Sequence, residues 1–87
     1  MNIMRKERRR RGLTQRELAN CVGCSVGRVS DLEHDLDVGP WANWWAPAPL
    51  AICDELGIEV AAIQSPPTAA EFQRAHARAH RFREGAV

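Results

Sequence analysis

The sequence lacks any apolar run long enough to cross a membrane, and no apolar core follows the charged residues of Met1–Arg11. A membrane-spanning helix needs about 20 consecutive apolar residues. A secretory signal needs an apolar stretch of about 7–15 residues behind its positive charges. These absences argue against a membrane partner and against export, so we expect a cytoplasmic protein.

Cysteine is scarce and its number is odd, since Cys21, Cys24 and Cys53 are the only three. An odd number in a cytoplasmic chain is typical of reduced thiols and argues against a disulfide framework. Cys21-x-x-Cys24 has the spacing of a zinc-ligand pair, for which His34 or Cys53 would be a further ligand. No second pair follows, so we expect no zinc and interpret Cys53 as a core residue.

Motifs of catalysis and cofactor binding are also missing. The sequence has no glycine-rich phosphate loop, no nucleophile elbow and no pair of carboxylates whose spacing supports acid–base chemistry. His76 and His80 lie four residues apart and could share a metal on one helix face, but the sequence offers no third ligand beside them. We expect neither an enzyme nor a cofactor nor a bound metal.

Lys6 is the only lysine among twelve basic residues, and the two signs of charge are unevenly distributed. Residues 1–30 carry eight basic and two acidic side chains, whereas residues 31–60 carry seven acidic side chains and no lysine or arginine. Residues 61–87 carry four basic and two acidic side chains. A basic N-terminal third favours phosphate contact and steers encounter with nucleic acid. The acidic middle would then face away from that partner.

Helix start and stop signals divide the first part of the chain. Residues 2–11 are helical in character, and Gly12 is a plausible C-terminal stop. Thr14 and Glu17 form a capping-box pattern for a second helix, which we expect to end near Val22.

A sharp turn and a third helix follow. Gly23 permits the left-handed backbone that such a turn requires, and Ser25 caps a helix that runs to about His34. Apolar residues at helical spacing predict the buried faces of the second and third helices. These residues are Leu13, Leu18, Val22, Val29 and Leu32.

Prolines and glycines interrupt helical hydrogen bonding over residues 35–49. A fourth helix is predicted to begin at Pro47–Pro49, where proline suits a first turn, and to end at Gly57. A short helical turn over residues 58–63 follows it. The apolar stripe of the fourth helix consists of Leu50, Cys53 and Leu56.

The C-terminal part of the chain predicts one more helix. Ser65-Pro66-Pro67 is a stop or linker, after which Thr68 caps the helix and Glu71 completes its capping box. Residues of its apolar stripe recur at helical spacing: Phe72, Ala75, Ala79 and Phe82.

Three tryptophans, Trp41, Trp44 and Trp45, supply too much aromatic area to remain exposed in a soluble monomer. They either cover the open end of the small core or form an interface, in which tryptophan often supplies the anchor. The stripe from Phe72 to Phe82 leaves the same choice: it folds back on the tryptophans or pairs with a second chain. We expect a homodimer, and the alternative is a monomer that binds one half-site or interacts through a protein partner.

The framework of the first two thirds resembles a known family. Its motif is Arg8-x-x-x-Gly12-Leu-Thr-Gln-x-Glu-Leu-Ala19, then Val22-Gly23, then Val29-Ser-x-Leu-Glu33. This pattern resembles the Cro/C1-type (XRE) helix-turn-helix domain of phage and bacterial repressors, and Leu50–Ile58 resembles the tail of that domain. The resemblance implies an all-α, five-helix, lambda-repressor-like bundle, here with an additional C-terminal helix. We expect a domain over residues 1–64, with a Trp/Pro-rich insertion at about 37–49, and a helical tail over 65–87 for dimerisation or partner binding.

The resemblance also implies roles for individual residues. Base edges would be met from the third helix by Val26, Gly27, Arg28 and Asp31. Phosphates would be met by Gln15 at the start of the second helix. Other phosphate candidates flank the turn or supply charge: Thr14, Arg11, Arg16, Ser25 and Ser30. The family's ion pair between its first and third helices corresponds to Arg8 and Glu33, whose role would be structural.

The proposed reading residues leave alternatives open. Arg28 could donate two hydrogen bonds to guanine, worth about 1–3 kcal/mol of discrimination, or it could touch only a phosphate. Asp31 could accept from a cytosine amine, although repulsion from phosphates is the favoured interpretation. Val26 offers an apolar contact to a thymine methyl, and Gly27 permits close approach without reading a base.

Three departures from the family pattern are visible. Asp35 stands where a glycine usually follows the end of the third helix. The segment between Glu33 and the fourth helix is longer than usual and carries the tryptophans. The tail after Ile63 has no counterpart in the minimal domain.

The resemblance predicts a transcriptional regulator that binds a double-stranded DNA operator, most simply a phage or prophage repressor of the Cro or immunity type. Such a protein would associate with the nucleoid in the bacterial cytoplasm. The alternative is a DNA-binding antitoxin or another interaction module, whose tail from Thr68 captures a protein partner.

Overall fold

Every regular element is helical in residues 2–66 and 68–84, which are the residues that the structure, a computed structural model, describes. The elements are α1 (Ile3–Arg10), α2 (Gln15–Val22), α3 (Val26–Val38), α4 (Pro47–Leu56), a 3-10 helix (Val60–Ala62) and α5 (Ala69–Glu84). The predicted all-α class is therefore confirmed. Pro67, in the predicted linker, and residues 85–87, at the end of the predicted tail, lie outside the described residues.

The starts of α2 and α3 follow the predicted caps, and α1 has a cap that the sequence analysis did not predict. The Asn2 side chain accepts a hydrogen bond from the Arg5 backbone N–H at 2.9 Å and caps α1. Thr14 and Glu17 form the complete capping box of α2, in which each side chain accepts from the backbone N–H of the other. Gly12 has a φ of +70°, so the chain reverses between α1 and α2 through a conformation that favours glycine.

The turn between α2 and α3 is three residues long. Gly23 has the predicted left-handed conformation, with a φ of 78° and its N–H on the Ala19 carbonyl at 2.8 Å. Ser25 caps α3 by accepting from the Arg28 N–H at 3.1 Å. The hydrogen bonds at both ends of the turn are therefore made within α2, α3 and the turn itself. The turn needs no hydrogen bond from the rest of the chain.

The predicted end of the third helix near His34 is wrong, since α3 continues for another turn to Val38. Asp35 does not interrupt a helix as the family's glycine would, and the chain leaves α3 only at Gly39, whose φ is +111°. The proline- and tryptophan-containing connection to α4 is therefore residues 39–46.

Helix α4 has the predicted bounds, with Pro47 in its first turn and Gly57 in the left-handed conformation at its end. It is the central helix, because α1, α2 and α5 all pack against it. Its predicted stripe of Leu50, Cys53 and Leu56 is buried. Within the described residues, no helix is both long and apolar enough to cross a membrane.

Helix α5 packs along α4 through small residues, with Ala75 and Ala79 buried. The Phe72 ring lies 5.3 Å from the Trp45 ring, measured between centroids. Trp44 is fully buried and Trp45 is 4% exposed. These two tryptophans therefore cover the core, which is the first of the two alternatives, and the last helix folds back on one of them.

Candidate functional site

The α2–α3 pair holds one face of α3 against the core and leaves the opposite face in solvent. Leu18 and Val22 of α2 are fully buried, as is Val29 of α3, and Leu32 is 1% exposed. Exposed side chains and one glycine occupy the first turn and a half of α3: Val26, Gly27, Arg28, Ser30 and Asp31. All four predicted base-reading residues therefore share one exposed surface.

Arg28 is the only basic side chain of α3, and it makes no ion pair with any residue that the structure describes. Its five guanidinium N–H groups are thus available for a bidentate acceptor. Asp31 is one helical turn further along the same face. Val26, at the start of α3, is 41% exposed and presents an apolar side chain to solvent. This face can offer one planar cation, one carboxylate and one methyl-bearing side chain to a partner.

The predicted phosphate-binding residues differ in how far they are already engaged. Arg11 donates from Nη2 to the Leu56 carbonyl at the end of α4, at 2.9 Å. Gln15 is half-buried, and its side chain is among the groups that lower the pKa of Glu33. Arg16 is exposed and forms no ion pair among the described residues. Arg16 is therefore the free cation on α2, whereas Arg11 and Gln15 also hold the fold together.

The hydroxyl groups among these candidates also have local roles. Thr14 Oγ1 accepts from the Glu17 N–H at 3.1 Å, and Ser25 Oγ accepts from the Arg28 N–H at 3.1 Å. Each hydroxyl retains its own proton, which it can donate to a phosphate oxygen. Ser30 is exposed on α3 among the predicted base-reading residues.

Arg8 and Glu33 form the ion pair that the resemblance implies. Arg8 Nε and Nη2 donate to the two Glu33 carboxylate oxygens at 2.8 and 3.1 Å. Arg8 Nη1 also donates to the Leu13 carbonyl at 2.9 Å, so this buried guanidinium has acceptors on both sides. Burial raises the pKa of Glu33, but the hydrogen bonds from Arg8 and Arg5 outweigh it and hold the pKa below its usual range.

The sequence interpretation missed Arg5, Asn2 and Asp37, which extend this contact. Arg5 Nε donates to Glu33 at 3.1 Å, and Arg5 Nη2 donates to Asp37 at 2.9 Å. Asn2 Nδ2 donates to the Glu33 carbonyl at 2.6 Å and to Asp37 at 2.9 Å. Helical spacing could have revealed the match, because Arg5 lies one turn before Arg8 and Asp37 one turn after Glu33.

These pairs divide the basic residues of the N-terminal third into two groups. Internal acceptors engage four of the eight: Arg5 and Arg8 through carboxylates of α3, Arg10 through Glu7 at 2.8 Å, and Arg11 through the Leu56 carbonyl. The remaining exposed cations form no ion pair within the described residues. They are Lys6, Arg9, Arg16 and Arg28. The cationic surface is thus smaller than the sequence count indicates.

Asp35 organises the tryptophan connection, a role that the sequence interpretation also missed. Its carboxylate accepts from the backbone N–H groups of Trp41 and Ala42 at 2.9 and 3.2 Å and from Trp44 Nε1 at 2.7 Å. Burial raises the pKa of Asp35, but these three donors outweigh it and the pKa lies below its usual range. The signal was the unexpected acid at the family's glycine position.

The predicted interface residues are distributed unevenly over the surface. Trp44 and Trp45 lie in the core, as described above, and Phe82 is half-buried against it. Phe72 is 36% exposed, whereas Trp41 is 85% exposed. Trp41 is therefore the tryptophan that remains available to a partner.

The metal-ligand candidates do not come together. Among the residues that the structure describes, no three His, Cys, Asp or Glu side chains are placed to hold a metal ion. Cys21 is exposed and Cys24 is half-buried. Cys53 is a core residue, and burial raises the pKa of its thiol to about 12. His76 packs against the Phe72 ring, with 4.6 Å between centroids.

Comparison with models of known protein families, with curated proteins and with solved structures finds no match to this chain.

Proposed function

We propose that this protein is a sequence-specific DNA-binding regulator of transcription and that α2 and α3 form a helix-turn-helix within a lambda-repressor-like bundle. In this proposal the N-terminal half of α3 enters the major groove. The observation that carries the proposal is the exposed face of α3, on which the unpaired Arg28 is presented by a turn with satisfied caps.

The sizes of the side chains on this face support entry into a groove. A major groove of about 12 Å admits one α-helix, and large exposed side chains would hold the helix away from the bases. Gly27, Ser30 and Val26 are small enough for the α3 backbone to approach closely. Arg28 is then the side chain with the reach and the paired donors to bind guanine O6 and N7.

The exposed cations provide the sequence-independent part of the binding. Arg16 is exposed in the first turn of α2, and Lys6 and Arg9 are exposed on α1. In a helix-turn-helix complex the first helix of the motif crosses the DNA backbone. Arg16 is therefore assigned to a phosphate, and Arg28 to a base.

The test is selection of binding sites from a pool of random duplexes, carried out with the wild type, Arg28→Ala and Arg16→Gln. Arg28→Ala should relax preference at one base pair, by about 1–3 kcal/mol in competition assays. Arg16→Gln should leave the base preference intact and weaken binding to all DNA sequences equally. It should also reduce the slope of log affinity against log salt by about 0.9, since one phosphate contact is lost.

Arg74→Gln on α5 is the matched control, because it removes an exposed arginine that already pairs with Glu71. It should change neither base preference nor salt slope. Failure of the folded protein to retain any duplex at low salt would contradict DNA binding as a whole. An unchanged preference in Arg28→Ala would contradict only the reading role.

A further inference from the structure

An apolar groove lies where the end of α3 meets the 3-10 helix and the start of α1. It has a volume of about 520 Å³, within the range of cavities that hold small organic groups. Apolar side chains form its walls: Ile3, Leu36, Val38, Pro40, Ala62 and Ile63. Its one carboxylate, Asp37, is already paired with Arg5 at 2.9 Å. The groove therefore offers an apolar site without an unpaired charge.

The Trp41 side chain lies next to this groove and is 85% exposed. Its Nε1 lies 3.8 Å from the position that a Cβ on Gly39 would occupy, and Gly39 lines the groove. The Asp35 carboxylate accepts a hydrogen bond from the Trp41 backbone N–H at 2.9 Å, and this bond fixes the backbone that carries the exposed indole. Val38 beside it is 59% exposed. One surface of the protein thus carries the exposed Trp41 indole next to an apolar groove.

We propose that this surface binds a second copy of the same chain, with the Trp41 indole of each copy in the groove of the other. A two-fold contact is isologous, so the surface must complement itself. An exposed indole next to an apolar groove meets that condition, because each copy supplies both the side chain and the groove that the other needs. Arg5 neutralises Asp37 in each copy, so the two acidic groups do not repel each other across the axis.

The area of this contact suits a weak but specific dimer. Each Trp41 buries about 200 Å², the groove that receives it loses a similar area, and Val38 adds about 100 Å² more. Two such halves bury about 1,000 Å², which is the lower limit for a specific interface. We therefore expect a dimer that dissociates reversibly in solution.

The dimer would also place two reading helices at a useful separation, an argument that rests on the proposed function. Val26 and Val38 bound α3, and twelve rises of 1.5 Å put them about 18 Å apart. If two copies meet at their Val38 ends with the α3 helices in line, the two Val26 ends lie about 36 Å apart. Half-sites one helical turn apart on DNA are separated by about 34–36 Å.

Sedimentation of the full chain over a range of micromolar concentrations tests the surface without DNA. The wild type should show a reversible monomer–dimer equilibrium. Trp41→Ala removes the indole, and Ala62→Arg fills the groove. Each substitution should therefore raise the dissociation constant of the dimer at least tenfold. Ala61→Arg is the matched control, since Ala61 is exposed in the same 3-10 helix without lining the groove, and it should remain dimeric.

A wild type that stays monomeric up to millimolar concentration overturns the proposal. So does a dimer that survives both Trp41→Ala and Ala62→Arg, because its interface would lie elsewhere, for instance on α5. Circular dichroism checks that each variant retains its helices. Trp41 is 85% exposed, so its loss should not unfold the chain.

Binding to duplexes separates this proposal from the proposed function. With two half-sites one turn apart, the wild type should bind two chains per duplex, and Trp41→Ala should lose the preference for that spacing while retaining recognition of a single half-site. A dimer that depends on Trp41 but binds no duplex supports the surface and contradicts the DNA-binding function. If Trp41→Ala keeps the preference for half-site spacing, the result contradicts the proposed dimer surface and leaves the proposed DNA binding standing.

Discussion

Glu33 shows how strongly one residue can couple two helices of this chain. It is 1% exposed, yet it carries a charge that Arg8 and Arg5 satisfy from α1. Asp37, one turn later on α3, also contacts Arg5 but is 38% exposed at its side chain. The two carboxylates share a partner and differ mainly in burial, so they form a natural pair for measuring what burial contributes.

We expect Glu33→Gln to destabilise the protein by about 3 kcal/mol, because the substitution leaves the buried Arg8 guanidinium without its counter-charge. Asp37→Asn should cost less than about 1 kcal/mol, since exposed ion pairs contribute little. Urea unfolding followed by circular dichroism measures both changes. Equal losses in the two variants would show that burial does not determine the contribution.

At the scale of elements, the α2–α3 turn depends on one backbone conformation. Gly23 has a φ of 78°, which costs a residue with a Cβ about 1–2 kcal/mol. Gly27, four residues later in the first turn of α3, has no positive φ, and a Cβ there would meet nothing closer than Ser25 Oγ at 3.9 Å. The backbone conformation therefore favours glycine at position 23, whereas neither the backbone conformation nor the available space requires it at position 27.

Gly23→Ala should lower the free energy of unfolding by about 1–2 kcal/mol. Gly27→Ala should raise it by about 0.5–1 kcal/mol, because alanine loses less conformational entropy in a helix. Thermal unfolding of the wild type and the two variants measures the sign of each change in the free energy of unfolding. A stabilising Gly23→Ala would contradict the assignment of the turn, and a destabilising Gly27→Ala would contradict the open space at that position.

The sequence determined most of these elements through local signals. The capping box at Thr14, the glycine at position 23 and the prolines at the start of α4 act within a few residues, so each was predictable from the chain alone. The end of α3 was not, because Asp35 acts through Trp41 and Trp44, which follow it by six and nine residues. A residue that caps a later loop gives no periodic signal.

At the scale of the whole molecule, the fold neutralises part of the charge asymmetry in the sequence. Glu33 and Asp37 belong to the acidic middle of the chain, and both pair with α1 in its basic third. The exposed face of α3 was predictable from helical periodicity. Which arginines remain free was not, because the partners of Arg5 and Arg8 lie at least 25 residues away in the sequence.

The same interactions predict how stability depends on pH. Glu33, Asp35 and Asp37 have lowered pKa values in the folded chain. A carboxylate with a lowered pKa stabilises the fold above its unfolded pKa of about 4 and loses that contribution as the pH falls through the folded value. Cys53 has the opposite sign, since its pKa is raised to about 12, and its contribution is lost as the pH rises above about 8.5.

We therefore expect the free energy of unfolding to be flat between about pH 5 and 8 and to fall on both sides. The alkaline decrease should be at most about 1.4 kcal/mol per pH unit for the single Cys53 thiol. The sequence has no tyrosine and one lysine, but burial also raises the pKa of Cys24, so every protein in this series carries Cys24→Ser to leave Cys53 as the one buried thiol. Urea unfolding from pH 3 to 10 measures the profile. Cys53→Ala should flatten the alkaline limb and Glu33→Gln the acidic limb, each relative to its own value at pH 7. An alkaline limb that persists in Cys53→Ala would show that another group titrates on unfolding and would remove the buried thiol as its cause.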